Sequence, residues 1–136
     1  MYLLDTNTCI RYLNDLSSPV ARKLQATRRL EVCLCSVVKA ELYFGAYNSR
    51  RRERNLAVLA EFFNEFVSLP FDDAAAHEYG RIRADLQAQG TPIGPNDLLI
   101  AAIALAHNMI LVSANLREFG RVAGLRYESW EEEAQS

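Results

Sequence analysis

Apolar residues in this chain fall into two rhythms. Short runs bounded by turn-formers occur at Tyr2-Leu3-Leu4, Val32 to Cys35, Val67 to Leu69, Ile110 to Val112 and Leu125 to Tyr127. Runs of this kind predict buried strands. Between them, apolar residues recur at helical spacing over 7–13, from Pro19 to Arg29, from Ser36 to about Tyr47, from Arg50 to Phe66, from Asp72 or Asp73 to Gln89, and from Asn96 to His107. Ser18 is the expected cap of the second helix with Pro19 at its first position, and Ser36 the expected cap of the third. The 96–107 segment is apolar almost all round through Leu98, Leu99, Ile100, Ile103 and Leu105, which predicts a buried helix. Asn115 to Phe119 adds a helical turn. Strands alternating with helices give an α/β sandwich around a mostly parallel sheet.

The remaining bulk properties narrow the function classes. The 136 residues fit one domain, 1–136, with no repeat, linker or low-complexity segment. A net charge of −2 excludes a broadly cationic nucleic-acid binder, so RNA or DNA contact must rest on a local patch. No apolar run is long enough for a membrane span, and no basic region precedes an apolar core as in a secretory signal. Three cysteines, an odd number, argue against a disulfide framework. Cys33 and Cys35 share one strand face and Cys9 lies on an apolar helix face, so all three are expected as buried thiols, which implies a cytoplasmic address. The Glu131-Glu132-Glu133 ending is expected to be a solvated acidic tail.

Three acids stand out because each is set in apolar sequence. Asp5 ends the first strand, where an open parallel sheet releases its chain into the ligand-binding crevice. Glu41 interrupts Val37-Val38-Lys39-Ala40-Glu41-Leu42, and Asp97 sits in the first turn of the buried helix. Each has a local explanation: a strand-end turn for Asp5, a surface partner of Lys39 for Glu41, the helix dipole for Asp97. Gathered together they repel, and a hard divalent cation with oxygen ligands resolves that repulsion. Such an ion can activate water and neutralise charge on a phosphodiester. His77 and His107 read as structural, and no Ser-His-Asp, Cys-His or Gly-rich phosphate loop is present.

Several segments carry a family resemblance. Leu3-Leu4-Asp5-Thr6-Asn7, Ser36 through Glu41-Leu42 and Gly45-Ala46, and Gly90-Thr91-Pro92-Ile93-Gly94-Pro95-Asn96-Asp97 with Ile100-Ala101-Ala102 resemble the PIN-domain ribonucleases, in particular the VapC toxins of bacterial toxin–antitoxin pairs. Leu111 through Phe119 and Tyr127-Glu128-Ser129-Trp130 resemble the same family, so the likeness covers nearly the whole chain. It implies a PIN (Rossmann-like) three-layer α/β/α sandwich. It also implies a Mg²⁺-dependent endoribonuclease, with Mn²⁺ able to substitute, acting on tRNA such as the initiator tRNA anticodon loop. A homodimer neutralised by a VapB-type antitoxin, and associated with DNA only through that antitoxin, is implied as well. Carried over by position, Asp5, Glu41 and Asp97 are the metal-binding acids. Many members have Asp where this chain has Asn115, which can still offer a neutral oxygen to a metal or its water as a catalytic residue, and Glu118, one helical turn later, is the candidate for the missing charge. Thr6, Asn7, Ser36 and Asn96 either orient the acids or satisfy turn amides.

For RNA, Arg50, Arg51, Arg52 and Arg54 form the densest basic run, either a phosphate-binding surface or a solvated helix start. Lys39, Arg11, Arg81, Arg83 and Arg117 are further candidates. Tyr43 or Tyr47 could stack on an unpaired base or instead serve a core or dimer contact. Ile10, Tyr12, Leu13, Leu16, Tyr43, Phe44 and Tyr47 exceed what a short chain must bury and suggest a groove for a peptide or second subunit. Two rivals compete with the nuclease. A haloacid-dehalogenase-like phosphatase would use Asp5 as nucleophile but needs an acid where Asn7 stands. A non-catalytic PIN-like module would hold RNA or protein without cutting.

Overall fold

The computed structural model describes residues 1–131. Five strands form one sheet: β1 (Tyr2–Leu4), β2 (Val32–Cys35), β3 (Val67–Leu69), β4 (Ile110–Val112) and β5 (Arg126–Glu128). Their order is β3-β2-β1-β4-β5, and every pairing is parallel. The sheet is therefore wholly rather than mostly parallel. Its central strands are flanked on both edges, so Leu3, Leu4 and all of Val32–Cys35 are buried, as the unbroken apolar runs require.

Among the described residues, seven α-helices connect and cover the strands: α1 (Thr6–Asn14), α2 (Pro19–Ala26), α3 (Ser36–Tyr47), α4 (Arg52–Phe63), α5 (Asp73–Ala88), α6 (Pro95–Ala106) and α7 (Leu116–Phe119). Helix α6 is the central one, with Leu98, Ile100 and Ala101 to Ala104 all buried. It pairs with α5 in a hairpin whose far end brings His107 Nε2 to 3.6 Å from Asp72 Oδ2. The chain runs from β1 to β2 to β3 on one side and then crosses to β4 on the other side of β1. The crevice beyond the carboxyl ends of β1 and β4 is thus the topological switch point, where open α/β sheets bind ligands.

Several boundaries differ from expectation for identifiable reasons. Helix α2 stops at Ala26, not Arg29, because Thr27 turns extended and its Oγ1 donates back to the Lys23 carbonyl at 2.7 Å. Arg29 then donates to the Leu24 carbonyl and enters a 3-10 turn over Arg29–Glu31. Ser36 is the first helical residue of α3 rather than its cap, a place taken by Cys35 with no side-chain bond. Helix α4 starts at Arg52 and ends at Phe63, two residues later and three residues earlier than the expected Arg50 to Phe66. Strand β5 lies one residue later than expected. Ser18 and Pro19 behave as expected, with Ser18 Oγ accepting from the Ala21 amide at 3.1 Å. Cys9, Cys33 and Cys35 are free and buried, and burial pushes all three thiols up from their ordinary range. Among the described residues no helix is long and apolar enough to cross a membrane. Glu131 pairs with Arg11 at 3.3 Å, while Glu132 and Glu133 lie outside the described residues.

Candidate active site

Asp5 leaves β1 at the switch point and is held there by the backbone. Its amide donates to the Val112 carbonyl at 3.0 Å, and its Oδ1 accepts from the Thr8 amide at 2.9 Å as the cap of α1. Thr8 Oγ1 donates across to the same Val112 carbonyl at 3.1 Å. Asp5 is only 5% exposed, so one carboxylate oxygen is spent on the helix and little of the rest meets bulk water. Thr8 was not singled out by sequence reasoning. Its signal was the Asp-x-x-Thr cap spacing; its bond to a strand 104 residues away carried none.

Glu41 comes from the middle of α3, five residues past Ser36, and its Oε1 accepts from Thr6 Oγ1 at 2.6 Å. A threonine beside Asp5 thereby ties the second acid to the first. Glu41 also separates two grooves. One, about 540 Å³, is lined by Thr6, Asn7, Asn96, Phe44 and Glu41 itself. The other, about 550 Å³, runs between α1, α3 and α4 and carries Arg51, Arg54 and Asn55 on its rim.

Asp97 stands in the first turn of α6, and its Oδ2 lies 3.7 Å from where a side chain on Gly94 would begin. Asn115, the cap residue of α7, reaches Asp97 Oδ2 at 3.4 Å and Glu118 Oε2 at 2.6 Å through the same amide nitrogen. Burial pushes the Asp97 carboxyl up to about 6, with further contributions from a hydrogen bond and negative charge at Glu118, then from Asp5 and Glu41. Carboxylates from the end of β1, from α3 and from α7 therefore all act on Asp97 in α6. Among the described residues, no three acidic, histidine or cysteine side chains already close on a point as a finished metal cage.

The other candidates separate clearly. Asn7 and Asn96 are exposed and line the first groove beside Glu41, whereas Ser36 is exposed at the start of α3 and does not line it. Arg51 and Arg54 share the second groove with Glu41, and Arg50 to Arg54 line a shallow depression at the start of α4. Arg52 is committed locally, donating to the Tyr47 carbonyl at 3.0 Å and lying over its ring. Lys39 does not join this run. It sits 4.9 Å over the Phe63 ring at the opposite end of α4, about 17 Å along the helix. Arg81 binds Glu78 through two nitrogens and Arg83 binds the Tyr79 hydroxyl, so both are engaged within α5.

Known proteins resemble the chain over the same extent. The PIN domain profile matches residues 2–125. The tRNA(fMet)-specific endonuclease VapC of Shigella flexneri is 42% identical over 129 residues, covering 95% of this chain and 97% of the relative. The chain belongs to the PIN-domain family, in its VapC branch. The DNA-bound VapBC structure from Salmonella typhimurium superposes on this PIN domain with a TM-score of 0.90 at 39% identity, over 95% of this chain and 97% of that one. VapBC2 from Rickettsia felis, bound to a promoter DNA fragment, gives 0.89 at 34% identity, over 95% and 98%. The PIN membership removes the phosphatase alternative, which already lacked its second acid because position 7 is an exposed Asn.

Proposed function

We propose that this PIN domain is a metal-dependent endoribonuclease toxin that cleaves RNA, with tRNA, the initiator anticodon loop included, as its substrate class, and that a VapB-type antitoxin neutralises it. The observation that carries the activity is the convergence of Asp5, Glu41 and Glu118 on Asp97, whose carboxyl burial first, and these neighbours after it, push up to about 6. The tRNA assignment rests on relatives named for tRNA(fMet) cleavage, and the antitoxin on neighbours solved as VapBC complexes.

The residues fit a divalent ion. Every donor is a hard oxygen, and mutual repulsion among the carboxylates is what a cation would relieve. A finished cage is unnecessary for Mg²⁺, which is held by one or two carboxylates plus waters and substrate phosphate. Asp5, Glu41 and Asp97 would hold it. When bound, Mg²⁺ or Mn²⁺ supplies charge neutralisation for the phosphodiester and lowers the pKa of water. The chain does the rest. The Thr8 amide fixes Asp5, Thr6 fixes Glu41, and Asn7 and Asn96 present polar side chains along the groove that admits the sugar-phosphate chain. Arg51 and Arg54 offer phosphate charges on the far side of Glu41.

The partner surfaces follow from what the fold leaves exposed. Ile10, Leu16, Tyr43, Phe44 and Tyr47 are exposed around α1 and α3, with Phe44 at 71%. Tyr12 is not among them, because it stacks on Phe62 with ring centroids 5.5 Å apart. These positions suit a homodimer and antitoxin contact, with DNA reached only through the antitoxin. Three buried thiols suit a reducing cytoplasm.

Antitoxin-free protein incubated with a tRNA panel is expected to cut in Mg²⁺ or Mn²⁺ and to stop in EDTA. A folded preparation that cuts no RNA with any divalent ion would establish the non-catalytic binding module instead.

A further inference from the structure

Asn115 is placed to cap α7, yet its side chain makes no bond to the backbone of that helix. It is turned instead toward two carboxylates, 2.6 Å to Glu118 Oε2 and 3.4 Å to Asp97 Oδ2. Its backbone is steadied from behind, since the Asn115 amide donates to Ser113 Oγ at 2.9 Å and Ser113 is fully buried. Helix α7 is anchored by Phe119, also fully buried, which fixes Glu118 on the same side of the turn as Asn115. The chemistry of the contact is one-directional. A carboxamide nitrogen has two protons to give, and turning the amide over would set its oxygen against two carboxylates. An aspartate at this position would offer no donor and add a carboxylate where two already meet.

We propose that Asn115 is a positioning residue, a two-proton tether that holds Glu118 against Asp97, so that Glu118 serves as the fourth acid of the pocket and Asn115 itself ligates nothing. This rests on the nuclease reading for its biological meaning, but its test does not need RNA. The tether acts through Glu118, so its removal matters only while Glu118 is present.

Mn²⁺ titrations by calorimetry on the antitoxin-free full chain test this with Asn115→Ala, Glu118→Ala and the double variant. Asn115→Ala is expected to weaken Mn²⁺ binding about 10-fold, the usual scale for groups that orient a ligand. In the Glu118→Ala background the same change is expected to cost less than about threefold, because coupled residues are not additive. Losses that multiply would overturn the tether and make Asn115 an independent ligand. A second measurement survives a variant that folds poorly. In metal-free wild type, the Asn115 side-chain amide protons are expected to exchange slowly with solvent by NMR, and solvent-like exchange overturns the proposal. Cleavage separates the two claims. A chain that shows the coupling but cuts no RNA ends the nuclease reading alone, whereas one that cuts RNA with multiplying losses ends the tether alone.

Discussion

The crevice between β1 and β4 and the outer face of α3 and α4 are built by opposite means. In the crevice, nearly every functional group is bonded before any ligand arrives: Asp5 to Thr8, Glu41 to Thr6, Asn115 to Asp97 and Glu118. On the outer face, Phe44 is 71% and Tyr47 55% exposed, and Arg51 and Arg54 rim an open groove. Bonded and half-buried groups are fixed in place for chemistry, where small displacements cost rate. Exposed apolar and cationic groups contribute little to the isolated fold and much to recognition. Glu41 stands at the border and belongs to both.

That division predicts effects of very different size and kind. Asp97→Asn is expected to lower cleavage on the order of 10³-fold, since an ion's charge stabilisation amounts to several kcal/mol. The same change should raise the Tm of metal-free protein at pH 7. A carboxyl whose folded value is raised to about 6 from an ordinary 3.8 binds its proton more tightly when folded. The protein therefore loses stability as pH rises between those values, and that penalty is complete above pH 6. After allowance for partial exposure, the relief is about 1 kcal/mol, a Tm gain of about 3–5 °C that fades at pH 4. Loss of activity with loss of stability would instead make Asp97 a structural acid.

The arginine rim is the next lever. Arg51→Ala with Arg54→Ala is expected to weaken RNA binding about 10-fold and to lower the salt slope by about 2, with kcat nearly unchanged, in a filter-binding and cleavage series. Lys39→Ala should leave that slope alone and instead cost about 0.5–1 kcal/mol of stability through its ring contact with Phe63. If Lys39 moved the salt slope and the arginines did not, the outer face would have to be redrawn.

Much of this arrangement was readable from the letters. The five strands, the buried α6 and the chain order of Asp5, Glu41 and Asp97 follow from periodicity and from acids stranded in apolar runs. What was not readable depended on bonds between distant positions. Thr8 looked like one more threonine after Asp5, because its value lies in a hydrogen bond to Val112. Lys39 is an RNA-binding candidate by its nearness to Glu41 in sequence, whereas the α3–α4 packing sets it over the Phe63 ring, at the far end of α4 from the arginines. The end of α2 was misplaced because a threonine hydroxyl and an arginine side chain compete for the last carbonyls, which periodicity does not see. Asn115 read as a missing acid, and only its distances show it reaching two others.

The smallest expected effect on the isolated chain is at Phe44. Phe44→Ser should change the unfolding free energy by less than about 0.5 kcal/mol, as an exposed site away from the core. It should nonetheless weaken self-association or antitoxin binding, measured by sedimentation and calorimetry. A large loss of stability with unchanged association would erase the contrast between the two regions.

The central claim is that four separated acids form one cation-accepting pocket at the β1–β4 crevice. Anomalous diffraction from a crystal of antitoxin-free protein soaked in Mn²⁺ tests it most directly. The account predicts a peak held by carboxylate oxygens of Asp5, Glu41 and Asp97, directly or through one water, with Glu118 beside it. A peak elsewhere on the chain, with this crevice empty at saturating Mn²⁺, would contradict it.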